Sequence, residues 1–115
     1  MTMMIDEHDS KAISMGVFRR ANVTRARESF GHRLTSWTPA EWGCALAGEV
    51  GELCNLLKKL RRGEQVNRKD LADECADVFA YLDLVAAALD IDLEIAIISK
   101  WNEVSQRRGY PVRLK

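Results

Sequence analysis

Two pairs of acidic residues, each three positions apart, are the first sign of chemistry in this chain. Glu49 and Glu52 form one pair, and Glu74 and Asp77 form the other. Residues three apart are neighbours on a helix surface, where like charges repel. If two neighbouring helices carry the pairs, four carboxylates converge. An all-oxygen set of this kind suits Mg²⁺, with Mn²⁺ as a substitute, and does not suit zinc.

Both pairs lie close to the apolar side of their predicted helices. Glu49 falls within the apolar stripe of its helix and Glu52 on the edge of that stripe, while Glu74 and Asp77 flank the stripe of the next helix. Burying an unpaired carboxylate costs several kcal/mol, so a bound cation would explain the position. The two stripes are Trp42, Leu46, Val50, Leu53, Leu57 and Leu60, then Leu71, Cys75, Val78, Leu82, Val85 and Leu89.

The acids have two other interpretations. They can be surface residues that pair with nearby lysine or arginine, which is the usual case for a single acidic pair on a helix. A carboxylate-bridged di-iron site is set aside because it normally needs Glu-x-x-His pairs. The histidines, His8 and His32, lie outside the two helices that carry the acids.

Four helices are expected to position these residues, and the second has the clearest start signal. Thr38 is a predicted N-cap, Pro39 takes the first helical position and Glu41 completes a capping box. The predicted helices run from about Ser10 to Phe30, from Pro39 to about Arg62, from Asn67 or Lys69 to about Leu89, and from an Asp92 cap to about Arg108.

Length and charge limit the class of protein. The chain has 115 residues, so we expect one all-α domain, a four-helix bundle over residues 1–115 with a flexible segment 1–9 and a tail 109–115. Lysine plus arginine equals aspartate plus glutamate at 17 each, so no overall field favours polymeric nucleic acid. Because no segment resembles a signal sequence or a membrane span, we expect a cytoplasmic protein with no membrane partner. A bundle this small leaves apolar stripes partly uncovered, which predicts a homo-oligomer.

The three cysteines do not suggest a metal or disulfide framework. Cys44, Cys54 and Cys75 are odd in number and form no Cys-x-x-Cys motif. We expect them to be small buried hydrophobic residues in a reducing compartment.

A magnesium site of this kind commonly acts on phosphates, with basic and aromatic residues that hold the rest of the substrate. Lys100 flanks the stripe of the fourth helix, Asn102 lies on another face of it, and Lys59 adds positive potential on the second. Four aromatic residues are candidates to stack on a base, with Tyr81 the best placed, one turn beyond Asp77; the others are Trp37, Trp42 and Trp101. No P-loop and no nucleophile elbow is present, which leaves metal-assisted attack of water on a phosphoanhydride.

The chain resembles the MazG-like all-α NTP pyrophosphatases over about Trp37 to Pro111. The matching residues are Leu46-Ala-Gly-Glu-Val-Gly-Glu-Leu53, then Asp70-Leu-Ala-Asp-Glu-Cys-Ala-Asp-Val-Phe-Ala-Tyr81, then Lys100-Trp-Asn102 and the later Arg-Gly-Tyr-Pro. The family motif, Glu-x-x-Glu followed by Glu-x-x-Asp, maps onto Glu49, Glu52, Glu74 and Asp77.

The resemblance implies Mg²⁺-dependent cleavage of a (d)NTP between the α and β phosphates, a homodimer or homotetramer, and a house-cleaning or nucleotide-pool role. It implies that the four acids bind the metal, that one glutamate such as Glu52 activates the water, and that Lys100, Asn102 and Tyr81 contact substrate. Some relatives hold the base with a histidine or tryptophan before the first acidic helix, where this chain has Trp37. A dUTPase-like or phosphoribosyl-ATP type pyrophosphatase, or a non-catalytic helical interaction module, remains an alternative.

Overall fold

The computed structural model describes residues 12–115, and these fold as four α-helices with one short 3₁₀ turn. The elements in chain order are α1 (Met15–Glu28), the 3₁₀ turn (Leu34–Ser36), α2 (Pro39–Arg61), α3 (Arg68–Ala88) and α4 (Leu93–Arg107). No strand occurs within residues 12–115, so the predicted all-α class is confirmed. The segment expected to be flexible, residues 1–9, lies outside the described residues.

Side-chain caps start three of the helices, and the sequence predicted two of these caps, Thr38 and Asp92. The Thr38 hydroxyl accepts a hydrogen bond from the Glu41 backbone N–H at 3.2 Å, and the Glu41 carboxylate accepts one from the Thr38 N–H at 3.0 Å. Asn67 caps α3 by accepting from the Lys69 N–H, and Asp92 caps α4 by accepting from the Ile95 N–H. These side chains satisfy N–H groups that have no partner within the helix.

The first helix is shorter than predicted at both ends. The predicted start at Ser10 is wrong, because residues 12–14 are not helical and the Ser14 hydroxyl caps α1 by accepting from the Val17 N–H at 3.1 Å. The helix ends at Glu28, and Gly31 turns the chain with a φ of 71° that other residues rarely adopt. This turn sends the connection back towards the start of α2.

The core forms where α1 and the start of α2 meet the second half of α3. Its buried apolar residues are Ala26, Trp42 and Leu84, and the Trp42 indole N–H donates to the Leu34 carbonyl at 2.9 Å. Partly buried residues complete the cluster: Val23, Leu34, Trp37, Tyr81, Val85 and Ala88. The 3₁₀ turn packs against α3 beside this core, so the connection before α2 is part of the folded unit.

A buried polar network joins α1 to α3 and to the turn that follows it. The Asp83 side chain is 2% exposed and accepts a hydrogen bond from Arg19 Nε at 2.8 Å. A second Arg19 nitrogen donates to the Ile91 carbonyl at 3.0 Å, and the Asn22 amide donates to Asp83 Oδ2 at 3.2 Å. Since a buried charge is tolerated only when it is paired and hydrogen-bonded, these contacts fix how α1 packs.

Much apolar surface stays exposed on the single chain. On α2 and α3 it includes Val50, Leu57, Leu60, Phe79, Leu82 and Leu89, and on α4 and the tail Ile95, Ile97, Trp101, Val104, Tyr110 and Val112. The expectation that the cysteines are buried is wrong for this chain, because Cys44, Cys54 and Cys75 are free and exposed on the uncovered sides of α2 and α3. None of the described helices is long and apolar enough to cross a membrane.

Candidate active site

The predicted acidic cluster forms where α2 and α3 lie side by side. Glu49 of α2 and Glu74 and Asp77 of α3 each offer one carboxylate oxygen, and these three oxygens lie within 4.8 Å of one another. Glu49 and Glu74 are half-buried, whereas Asp77 is exposed. The two helices are long, regular and in extensive contact, so the separation of these side chains is set by helix packing and not by a loop.

Two oxygens of this cluster have no partner, although they are shielded from solvent. Glu49 Oε2 and Glu74 Oε2 are inaccessible to water and receive no hydrogen bond from the described residues. An acceptor that is shielded from water and receives no hydrogen bond destabilises the folded state, and a charged acceptor does so more strongly. Oxygen atoms of several carboxylates at this spacing are the ligands that a hard divalent cation prefers. The residues present therefore fit a divalent cation.

The electrostatics of the cluster also favour an added positive charge. Burial raises the pKa of Glu49, and the charges of Glu52, Asp77 and Glu74 raise it further. Burial likewise raises the pKa of Glu74, with added contributions from Glu52, Asp77 and Asp73. A raised pKa means that the surroundings disfavour the ionised form of the carboxyl group. A cation bound beside Glu49 and Glu74 would favour the ionised form instead.

Glu52 lies beside the three clustered acids but outside the group of closest oxygens. Its side chain is exposed, and its carboxylate is close enough to raise the pKa of both Glu49 and Glu74. An exposed carboxylate next to a cation site can reach a water molecule and accept a proton from it. Its position thus differs from that of the other three acids.

A cavity of about 200 Å³ opens beside the acids, and aromatic rings form part of its wall. Glu49 and Asp77 line one part of it, and α1, the connection before α2, and α3 supply the rest. The remaining lining residues are Asn22, Arg25, Ala26, Phe30, His32, Trp37, Trp42, Ala80, Tyr81 and Leu84. Flat rings lining a space next to a cation site can stack on a planar ligand such as a nucleobase.

The aromatic residues of the wall pack against one another with tilted rings. The rings of His32 and Trp37 have centroids 4.5 Å apart, and those of Trp37 and Trp42 are also 4.5 Å apart. At the rim, the Arg25 guanidinium lies 5.7 Å from the centroid of the Phe30 ring. Two of the predicted substrate residues, Trp37 and Tyr81, therefore line the same cavity as the acids.

The sequence does not predict the part of this wall that comes from α1 and the connection. His32 lies outside the helices that carry the acids, and no motif marks Asn22, Arg25 or Phe30 as lining residues. A signal was present, because His32, Trp37 and Trp42 recur at intervals of five residues. Its meaning depends on the turn at Gly31, which folds the connection back onto α2.

Three predicted substrate residues do not line the cavity. Lys100 is exposed on α4 and lies 3.4 Å from the Glu103 carboxylate, and Lys59 is exposed on α2 about 10 Å along the helix from Glu52. The Asn102 amide is engaged with the C-terminal tail, where it exchanges two hydrogen bonds with the Leu114 backbone at 2.8 and 2.9 Å. Lys100 and Asn102 thus have local contacts of their own in the single chain.

The fold and the site together define a class: an all-α domain with an acidic cluster shared by two packed helices, beside a cavity lined in part by aromatic rings. The helical fold and the acids of two neighbouring helices are what the resemblance to the MazG-like NTP pyrophosphatases implies. No family model matches the chain. Curated proteins do match it, and they confirm the resemblance that the acidic motifs predict.

The chain is 39% identical to human dCTP pyrophosphatase 1 and 42% identical to the mouse protein of that name, over 77 residues that cover 61% of this chain. It is 35% identical over 68 residues, or 55% of this chain, to the Gene 37 protein of Mycobacterium phage L5. The matches cover 44% of each dCTP pyrophosphatase 1 and 60% of the phage protein, so this chain spans about half the length of the curated relatives it matches.

Proposed function

We propose that this protein is a nucleotide pyrophosphohydrolase that converts a (d)NTP and water into a (d)NMP and pyrophosphate. The observation that carries the proposal is the pair of unpartnered, shielded carboxylate oxygens of Glu49 and Glu74 beside a cavity lined in part by aromatic rings. The relatives named dCTP pyrophosphatase make dCTP the first substrate to test. The free, unpaired cysteines agree with a role in the nucleotide pool of the cytoplasm.

In this proposal Glu49, Glu74 and Asp77, with Glu52 beside them, bind Mg²⁺, for which Mn²⁺ can substitute. When bound, the metal neutralises charge on the triphosphate and makes an attacking water more acidic. Glu52 orients that water and accepts its proton, because its carboxylate is exposed next to the site. The water attacks the α-phosphorus, and the bond to the bridging oxygen breaks to release pyrophosphate.

The base is proposed to stack in the cavity against Trp37 and Tyr81, with His32 and Trp42 completing the wall. A cavity of about 200 Å³ is smaller than the range of about 300–1,000 Å³ that holds a whole drug-sized ligand. It therefore takes a base and leaves the sugar and phosphates nearer the acids. Arg25 at the rim carries a positive charge into the region that the nucleotide would cross.

Lys100 and Lys59 are proposed to contact the phosphates in a homodimer or homotetramer. The exposed apolar residues of α2, α3 and α4 support such an assembly, because patches of this extent are uncommon on a monomer. Lys100 lies on α4, outside the cavity of its own chain, so a site shared between subunits would give it a role. Asn102 would reach a substrate only by exchanging its contacts with Leu114.

The direct test is a panel of dNTPs and NTPs, including dCTP, dUTP and phosphoribosyl-ATP, assayed with Mg²⁺ and with product identification. We expect pyrophosphate and a monophosphate from at least one member of the panel. Release of orthophosphate would place the cleavage at another bond. No turnover of any member would favour the non-catalytic interaction module.

The Glu52→Gln variant should lose about 10²- to 10⁴-fold in kcat, the range typical of a general base, because glutamine cannot accept the proton. The fold should be preserved, since Glu52 is exposed and glutamine keeps the size and shape of its side chain. Circular dichroism and steady-state pyrophosphate release measure the two quantities. Full activity in this variant would reject the assigned role.

Added Mg²⁺ should raise the thermal midpoint of the wild-type protein. At 100 times its dissociation constant, a ligand that binds only the folded state stabilises by about 2.7 kcal/mol. Asp77→Asn should reduce the shift, while Asp73→Asn on the same helix should keep it, because Asp73 pairs with Lys69 at 2.7 Å outside the clustered oxygens. Equal shifts in the two variants would argue against a cation among these acids.

A further inference from the structure

Asn22 is a buried polar residue in the wall of the aromatic cavity, and the catalytic proposal does not use it. It belongs to α1, is 4% exposed and lines the cavity together with Glu49 and Asp77. Its Nδ2 atom donates to the Ala80 carbonyl at 2.9 Å and to Asp83 Oδ2 at 3.2 Å. Both hydrogens of the amide are therefore occupied by α3.

These two contacts fix which way the amide points. An amide NH₂ is a donor and an amide oxygen is an acceptor, so only Nδ2 can face the carbonyl and the carboxylate. The Asp83 carboxylate accepts a hydrogen bond from Arg19 at 2.8 Å, and this contact fixes the position of the Asp83 oxygen that faces Asn22. If the amide rotated by 180°, its oxygen would face the oxygens of Ala80 and Asp83, and all of these atoms are hydrogen-bond acceptors.

Asn22 Oδ1 receives no hydrogen bond from the described residues, since both contacts of the amide are made by Nδ2. An amide oxygen without a donor can accept a hydrogen bond from a ligand. Because Asn22 lines the cavity, a ligand bound there is in a position to supply that donor.

We propose that Asn22 determines base specificity by accepting a hydrogen bond from the exocyclic amino group of an aminopyrimidine. The inference rests on the proposed function only in placing a nucleobase in the cavity. Cytosine supplies an amino group as donor, whereas uracil and thymine place a carbonyl oxygen at the same ring position. The volume of about 200 Å³ favours one ring over the two rings of adenine.

The discrimination arises from the locked orientation of the amide. A freely rotating asparagine could turn its NH₂ towards uracil and its oxygen towards cytosine, and would accept both. Asn22 cannot do so, because Ala80 and Asp83 hold its NH₂. With uracil in the cavity, two carbonyl oxygens would face each other without a proton between them.

The first test changes the substrate and leaves the protein intact. Wild-type protein is assayed with dCTP, with dUTP, and with the triphosphate of the 2-pyrimidinone deoxynucleoside, which is cytosine without its amino group. We expect kcat/KM to be about 10- to 100-fold higher for dCTP than for either of the others. Equal kcat/KM for dCTP and the pyrimidinone analogue would overturn the proposal.

The second test changes the protein at the same contact. Asn22→Leu has a similar shape and lacks the acceptor, so the ratio of kcat/KM for dCTP over the pyrimidinone analogue should fall to near one. Thr24→Val is the matched control, since Thr24 lies two residues along α1, outside the cavity lining, and the variant should keep the wild-type ratio. The same loss of ratio in Thr24→Val would assign the effect to α1 as a whole.

Binding separates this inference from the hydrolase proposal. Calorimetry with the α,β-methylene analogues of dCTP and dUTP reports base preference without turnover. A preference for the dCTP analogue together with no hydrolysis of any nucleotide would overturn the enzyme and keep Asn22 as the base reader. Hydrolysis of dCTP, dUTP and the pyrimidinone analogue at equal kcat/KM would keep the enzyme and overturn the role of Asn22. No binding of either methylene analogue would overturn both.

Discussion

Glu49→Gln is expected to be inactive and, without metal, more stable than the wild-type protein at neutral pH. Removing one ligand of a cation that stabilises transition-state charge forfeits several kcal/mol, which is about a thousandfold or more in kcat/KM. The same change removes a shielded oxygen of a charged group that lacks a partner. Pyrophosphate release and thermal unfolding in the presence of a chelator measure the two effects.

The sign of the stability effect follows from the direction of the pKa shift. Burial, then Glu52, Asp77 and Glu74, raise the pKa of Glu49 above its ordinary 4.5. Between 4.5 and the raised value the folded state binds more protons than the unfolded state, so the free energy of unfolding falls as pH rises through that window. Glutamine carries no charge, and its advantage should therefore be largest at neutral pH and shrink as pH falls towards 4.5.

A control variant tests whether removing any glutamate would change activity and stability in the same way as Glu49→Gln. Glu94→Gln removes an exposed acid in the first turn of α4, far from the cluster, and should leave activity unchanged while lowering stability slightly through the helix dipole. An inactive Glu49→Gln that is also less stable at neutral pH would mean that Glu49 supports the fold. Retained activity in Glu49→Gln would remove Glu49 from the cation site.

The helices and the acidic cluster were predictable because local rules determine them. Helix starts are indicated by side chains that can accept a hydrogen bond from the first turn of the helix. Thr38, Asn67 and Asp92 each accept such a bond in the structure. The pairing of Glu49 with Asp77 across two helices follows from short connections and the helical repeat. Neither inference needs knowledge of distant contacts.

The burial pattern of α3 could not be predicted in the same way. A single apolar stripe through Leu82 and Leu89 predicts one buried face, yet both of these leucines are exposed, and Asp83 and Leu84 are buried. The reason is that α3 packs against α1 as well as α2, and the face towards α1 carries a polar network. Pairing between Arg19 and Asp83 spans 64 residues, and no local pattern reports it.

The composition of the cavity wall also depends on contacts between residues that are distant in the sequence. His32 and Asn22 become neighbours of the acids only after Gly31 turns the connection and α1 docks on α3. The cysteines were expected to be buried and are exposed, because an apolar stripe on a helix need not be covered by other parts of the same chain. Sequence periodicity identifies a surface that needs a partner and does not say which partner covers it.

Asp83→Leu is expected to lower the free energy of unfolding by about 3–5 kcal/mol, because removing one member of a buried ion pair leaves the other uncompensated. For a domain of this size that is a fall of roughly 10–20 °C in the thermal midpoint. Arg19 would keep its bond to the Ile91 carbonyl, and Asn22 its bond to the Ala80 carbonyl. The loss therefore reports the contacts that Arg19 and Asn22 make with Asp83.

The chain offers a matched exposed pair as the comparison. Arg62 Nε lies 2.6 Å from the Glu64 carboxylate, with side chains 58% and 47% exposed, against 2.8 Å for Arg19 and Asp83. Glu64→Gln should cost less than about 1 kcal/mol, because solvent screens this pair. The double variant Arg19→Met with Asp83→Leu should recover part of the loss in Asp83→Leu, since it removes both charges together. If Asp83→Leu cost no more than Glu64→Gln, the docking of α1 on α3 would depend on apolar contacts alone, and the fixed orientation of Asn22 would lose its support.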